Sequence, residues 1–133
     1  MKEFKNENKK ITSKEAHHLL KAAIAAQHKG DTQNAEKLYV KAINCGFKHE
    51  IVFNNLGVIY KDTGRNNEAL SMYKQAILRN PKCANTYTNL GSLYKDLGKL
   101  DQALACTLKS IQLKPDNPTS HLNLGGIHAA QGN

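Results

Sequence analysis

Gly30, Gly64, Gly98 and Gly132 are separated by a constant interval of 34 residues. Ala35, Ala69 and Ala103 keep the same interval, as do Ile43, Ile77 and Ile111, and Asn55, Asn89 and Asn123. A period of this length means one small supersecondary unit stacked several times, because a single unit cannot bury its apolar face alone. A chain so constrained folds as an array in which each unit touches its neighbours.

Each unit reads as two helices. Phe53, Leu56, Gly57 and Tyr60 fall at i, i+3, i+4 and i+7, which is one helical face. After Gly64 comes a second stripe of Ala69, Leu70, Tyr73, Ala76 and Ile77, and Leu100, Ala103, Leu104, Thr107, Leu108 and Ile111 repeat it in the next unit. Neither stripe alternates with the period of two that strands require. Thr12 with Glu15 forms a capping-box pattern ahead of the first helix. The repeated glycines are suited to close helices with positive φ. Asp31 and Asn66 stand where N-caps are needed. Pro81 and Pro115 end the second helices of their units, and Pro118 fits a first helical turn. The expected helices span 13–28, 32–44, 50–62, 66–79, 84–96, 100–113 and 118–131. Small residues recur on the first helices (Ala23, Gly57, Gly91, Gly125) and on the second (Ala35, Ala69, Ala103), which predicts close helix approach at about 8–10 Å.

These residues resemble the tetratricopeptide repeat family. Its signature asks for an aromatic, Leu-Gly, Tyr, Ala, an aromatic, Ala and Pro at set offsets. The second unit supplies Phe53, Leu56-Gly57, Tyr60, Ala69, Tyr73, Ala76 and Pro81. The third supplies Tyr87, Leu90-Gly91, Tyr94, Ala103, Thr107, Ser110 and Pro115, with Thr107 replacing the aromatic and Ser110 the alanine. The first is degenerate, with Ala22-Ala23 and Ala26 for Leu-Gly and Tyr, and Phe47 for Pro. The fourth holds only His121, Leu124-Gly125 and His128. The resemblance implies an all-α, right-handed α-solenoid of helix-turn-helix units. Three repeats (about 16–49, 50–83 and 84–117) would be followed by one extra helix in 118–133, behind a disordered polar tail over 1–12. Helix 118–131 would keep an open outer face. That face is expected either to self-associate or to receive the rest of a longer chain.

Composition narrows the function classes. Nineteen Lys and Arg against eleven acids give a formal charge of +8 over 133 residues, which favours acidic partners. The charge is spread along the chain without stacking aromatics, so nucleic acid is not expected. Cys45, Cys83 and Cys106 lack zinc spacing or a disulfide framework and fit a reducing, cytoplasmic setting. No apolar run is long enough to cross a membrane, and the start MKEFKNENKK is no signal peptide. No nucleotide-binding, metalloprotease or serine-hydrolase motif is present, so no enzyme activity and no cofactor or metal is expected.

In the family, the first helices line the concave side. The resemblance places Asn55, Asn89 and Asn123 there at one offset, with Lys21 heading the row, and Lys61 and Lys95 at another. An asparagine amide both donates and accepts, so it can pair with an extended backbone whatever its side chains. First helices spaced by roughly 10 Å would offer one amide per three residues of a peptide advancing about 3.3 Å per residue. The row is similar to the asparagine ladder in the repeats of O-linked N-acetylglucosamine transferases. The other reading is an exposed polar surface copied by duplication. Lys61 and Lys95, each followed by an aspartate, read either as anchors for acidic stretches or as a solvated charged face. A carboxylate clamp of the kind the family uses for C-terminal tails is not expected: its five places hold Leu20, Ile24, Asn55, Asn85 and Asn89, and only Asn55 matches. The expected function is a non-catalytic protein-interaction module holding an extended, preferably acidic peptide. The alternative is the repeat segment of a larger transferase of the glycosyl- or sulfotransferase kind.

Overall fold

The computed structural model describes residues 10–132. Among them there are seven helices and no strand: α1 (Ser13–His28), α2 (Thr32–Asn44), α3 (Glu50–Asp62), α4 (Asn66–Arg79), α5 (Ala84–Asp96), α6 (Leu100–Leu113) and α7 (Pro118–Ala130). Every helix matches its expected span to within one residue. Most of the polar tail expected over 1–12 lies outside the described residues.

The helix ends follow from local chemistry. Thr12 and Glu15 form the expected capping box, each side chain bonding the other's backbone N–H. Asp31 caps α2 by accepting from the Asn34 N–H. Asn66 is not a cap: it is the first residue of α4, and Arg65 holds the N-cap position without a side-chain bond. The Arg65 guanidinium instead donates two 2.7 Å hydrogen bonds to the Glu36 carboxylate and lies 4.5 Å over the Tyr60 ring, tying the second helix pair to α2. Those bonds hold the Glu36 carboxyl below the usual carboxylate range. Asn80 and Lys114 are extended, as a following proline demands. Unit one has no such proline and closes α2 with Gly46 at φ +90°.

The helices pack in sequential antiparallel pairs, α1 with α2, α3 with α4 and α5 with α6, and α7 lies on α5 and α6. The result is an all-α solenoid. α5 touches α3 on one side and α7 on the other, whereas no two of α2, α4 and α6 approach comparably. The first helices therefore form the tighter, inner side of the stack. Ala35, Ala69 and Ala103 are fully buried between paired helices. A Cβ added at Gly57 would lie 2.6 Å from the Tyr73 ring, and one at Gly91 would lie 2.7 Å from Thr107 Oγ1, so these glycines set the helix separation.

Tyr39 and Tyr73 hold the same place in successive units and both are fully buried, yet their hydroxyls differ. Tyr39 Oη donates to Gln27 Oε1 at 2.7 Å and accepts from Asn55 Nδ2 at 3.0 Å. Tyr73 Oη has no partner among the described residues. Burial pushes both phenols above the usual tyrosine range. Tyr39→Phe is expected to destabilise the fold by about 1 kcal/mol, because it strands two amides. Tyr73→Phe removes an unsatisfied hydroxyl and should be neutral or stabilising by up to about 1 kcal/mol. Urea melts of the two variants check the opposite signs.

Candidate functional site

The inner side carries the asparagines and lysines of the sequence analysis, but neither set forms a uniform row. Asn55 on α3 and Asn89 on α5 are half-buried. Asn55 spends Nδ2 on Tyr39, and Asn89 donates Nδ2 to Asn54 Oδ1 at 3.0 Å. Each keeps its own carbonyl oxygen without a partner among the described residues. Asn123 on α7 departs from the expected open row. It is only 5% exposed, donates Nδ2 to the Thr88 carbonyl at 3.3 Å and accepts from Lys95 Nζ at 3.4 Å. All three amides thus link one unit to the preceding one, a second task that spacing could not reveal.

The lysines also reach across the stack. Lys61 Nζ donates to Ser92 Oγ at 2.8 Å and pairs with Asp96 at 3.4 Å. Its acidic partner is therefore Asp96 of the next unit, not the adjacent Asp62. One unit on, Gly126 and Ala130 stand at the places of Ser92 and Asp96, 34 residues away, so the equivalent of Lys61, Lys95, finds neither the hydroxyl nor the carboxylate there. The Lys95 chain runs over Gly126, whose added Cβ would lie 3.4 Å from it, and its ammonium has Asn123 and no acid. Lys21 on α1 is exposed and has no partner among the described residues. The site therefore holds one neutralised lysine, Lys61, and two uncompensated ones, Lys21 and Lys95.

Sequence reasoning missed a buried hydroxyl cluster behind this surface. Thr88 Oγ1 lies 2.5 Å from Ser110 Oγ and 3.0 Å from Ser120 Oγ. The two serines are 2.8 Å apart, and Asn117 Nδ2 donates to Thr88 at 3.2 Å. The cluster joins α5, α6 and α7 and so fixes the helix that carries Asn123. Ser110 in place of the signature alanine was its one visible signal.

Among the described residues no group of His, Cys, Asp or Glu could hold a metal ion, and no helix is long and apolar enough to cross a membrane. His121 Nε2 is 2.7 Å from the Pro115 carbonyl, and His128 Nδ1 is buried without a partner.

The model of the TPR repeat family matches residues 57–98 and 91–132. No curated protein matches the sequence significantly. Solved structures share the fold at low identity. The first TPR of Spaghetti (RPAP3), bound to the HSP90 peptide SRMEEVD, has a TM-score of 0.86 at 20% identity, covering 92% of this chain and 98% of that one. The second TPR domain of human RPAP3, in complex with the HSP70 peptide SGPTIEEVD, has a TM-score of 0.77 at 21% identity, covering 84% and 93%. MamA has a TM-score of 0.83 at 22% identity, covering 88% and 68%.

Proposed function

Since the chain belongs to the TPR repeat family, we propose that it is a non-catalytic interaction module that holds an extended segment of a partner protein along its inner side. The observation that carries this reading is the pair of half-buried amides, Asn55 and Asn89, whose oxygens remain open on adjoining first helices. Each accepts a backbone N–H of the segment. Asn123, buried and engaged at both ends, contributes by positioning Lys95. Lys95 and Lys21 supply the preference for acidic residues, and Lys61 adds little because Asp96 already answers it.

Two structural neighbours were solved with peptides ending in EEVD, which supports peptide capture as the kind of task this fold performs. The clamp for such a tail is not carried over, because Leu20, Ile24, Asn85 and Asn89 stand at four of its five places. The segment held here is accordingly internal and extended, with no need for a free C-terminus. A cytoplasmic site of action fits Cys83 and Cys106, neither of which forms a disulfide.

Random peptides selected on phage against the intact chain provide the test. Binders are expected to lose about tenfold in affinity for Asn55→Ala with Asn89→Ala, the effect of removing two hydrogen bonds of roughly 0.7 kcal/mol each. Lys95→Ala should reduce the preference for acidic sequences and Lys21→Ala with Lys95→Ala should remove it, while Lys61→Ala should change it little. Undiminished binding by the double asparagine variant, with helicity intact by circular dichroism, would refute the proposal.

A further inference from the structure

We infer that the groove between α1 and α2 at the N-terminal end of the stack is a second docking site, for a short acidic and aliphatic segment of another protein. The groove has a volume of about 430 Å³ and is lined by Ile11, Lys14, Glu15, His18, Leu19, Ala22 and Lys41. Its floor is apolar and its rim is basic.

Comparison within the chain explains why the groove is open. His18, Leu19 and Ala22 occupy the places of Val52, Phe53 and Leu56 in unit two, and of Thr86, Tyr87 and Leu90 in unit three. Val52 and Thr86 are fully buried, and Leu56 and Leu90 are 1% and 4% exposed, because each packs toward the unit before it. Among the described residues no helix precedes α1, and Ala22 leaves vacant the volume that leucine fills in the later units. An aliphatic side chain of a partner fits that vacancy by the same packing.

Charge selects the occupant. Residues 10–49 carry seven lysines and three acids. Glu36 is paired with Arg65, while Glu15 and Asp31 accept from backbone N–H groups at helix starts and keep their charge, so the excess over these residues outside the Glu36 pair is seven lysines against two carboxylates. None of the seven lysines makes a salt bridge or side-chain hydrogen bond with a described residue. Lys14 on α1 and Lys41 on α2 thus outnumber the one carboxylate of the groove, Glu15, which the Thr12 N–H holds at the start of α1, and they are complementary to carboxylates flanking an aliphatic anchor. Residues 1–9 hold three lysines against two glutamates, so the chain's own start matches the rim in sign and is the wrong occupant.

The experiment uses the intact chain and a fluorescein-labelled peptide of leucine, aspartate and glutamate, followed by polarisation. Saturable binding is expected, falling at least about tenfold for Lys14→Glu with Lys41→Glu and weakening steeply with added salt. Ala22→Gln, a neutral change that puts a longer polar group in the vacancy, should also weaken binding severalfold. A peptide with amides for its carboxylates, or serines for its leucines, should bind poorly. In the Asn55→Ala, Asn89→Ala background, where the inner side is disabled, the peptide should still bind and should still lose affinity with the lysine reversals and Ala22→Gln, which separates this groove from the inner-side reading. The inference is overturned if Ala22→Gln and the lysine reversals leave affinity unaltered, or if the asparagine variant abolishes it. It is also overturned if phosphatidylserine vesicles bind with the same lysine dependence while the peptide does not. If binding requires removal of residues 2–9, the groove belongs to the chain's own start and the inference falls.

Discussion

Alanine placed at Gly57, Gly91 and Gly125 in turn should give three different stabilities, although the three positions are equivalent in the repeat. At Gly57 the new Cβ meets Tyr73 carbons at 2.6, 2.8 and 3.2 Å, and that ring is fully buried. Overpacking of this kind costs about 1–3 kcal/mol and outweighs the helix-propensity gain of about 1 kcal/mol. At Gly91 the close atom is Thr107 Oγ1 at 2.7 Å, with Ala103 O and Thr107 N at 3.4 Å. A hydroxyl can rotate where a ring cannot, so the loss there should be smaller. At Gly125 no atom lies within 4 Å, and only the propensity gain remains. Gly125→Ala should therefore stabilise by about 1 kcal/mol, opening a spread of roughly 2–4 kcal/mol across the series. Thermal and urea melts of the three single variants decide it. Equal effects at all three sites would mean that the glycines do not set the helix separation.

The same series shows what periodicity conveys and what it leaves out. Spacing located every helix because each stripe buries one face at 3.6 residues per turn, and glycine at positive φ marks where five of the helices stop. Spacing could not say that Gly125 faces open space while Gly57 faces a ring. That difference lies in the partner helix, not in the residue. The N-cap of α4 was misread for a similar reason. Asn66 is the better capping residue by propensity, but Arg65 is held in place from outside the helix by Glu36 and Tyr60.

The helices that carry the inner-side residues were legible in the sequence, and the partners of those residues within the fold were not. Asn55, Asn89, Lys61 and Lys95 all project from first helices, as their offsets imply. Their partners come from the neighbouring unit, at separations of 16 to 35 residues, and no local pattern encodes which group will be met there. Asp62 is adjacent to Lys61 in sequence, yet Asp96 is the acid within reach. Asn123 looked like a third member of an open row and is instead buried against the Thr88 carbonyl.

Thr88→Val should destabilise the chain by about 2–3 kcal/mol, and adding Ser110→Ala and Ser120→Ala should restore most of that loss. Valine keeps the shape of threonine but removes the oxygen shared by Ser110, Ser120 and Asn117. Each buried group left short of a partner costs about 1–3 kcal/mol, whereas replacing partners together by apolar groups of like shape is nearly neutral. The two serines still bond each other in the single variant, which keeps the loss below the sum of three orphaned groups. In the triple variant the Ala84 carbonyl loses two hydroxyl donors but stays in the α5 backbone ladder, and Asn117 loses its acceptor but is half-buried and reaches water. The coupling among the three sites should thus exceed about 1 kcal/mol, well beyond the additivity expected of independent positions. Because α7 is held by this cluster and carries Asn123 against Lys95, hydrogen exchange in residues 118–130 should rise first in Thr88→Val. Acidic-peptide binding should weaken in that variant and recover in the triple one. Additive losses across the three substitutions would show the hydroxyls acting singly, and α7 would then be held chiefly by Ile127 and by the Asn123 bonds to the Thr88 carbonyl and Lys95.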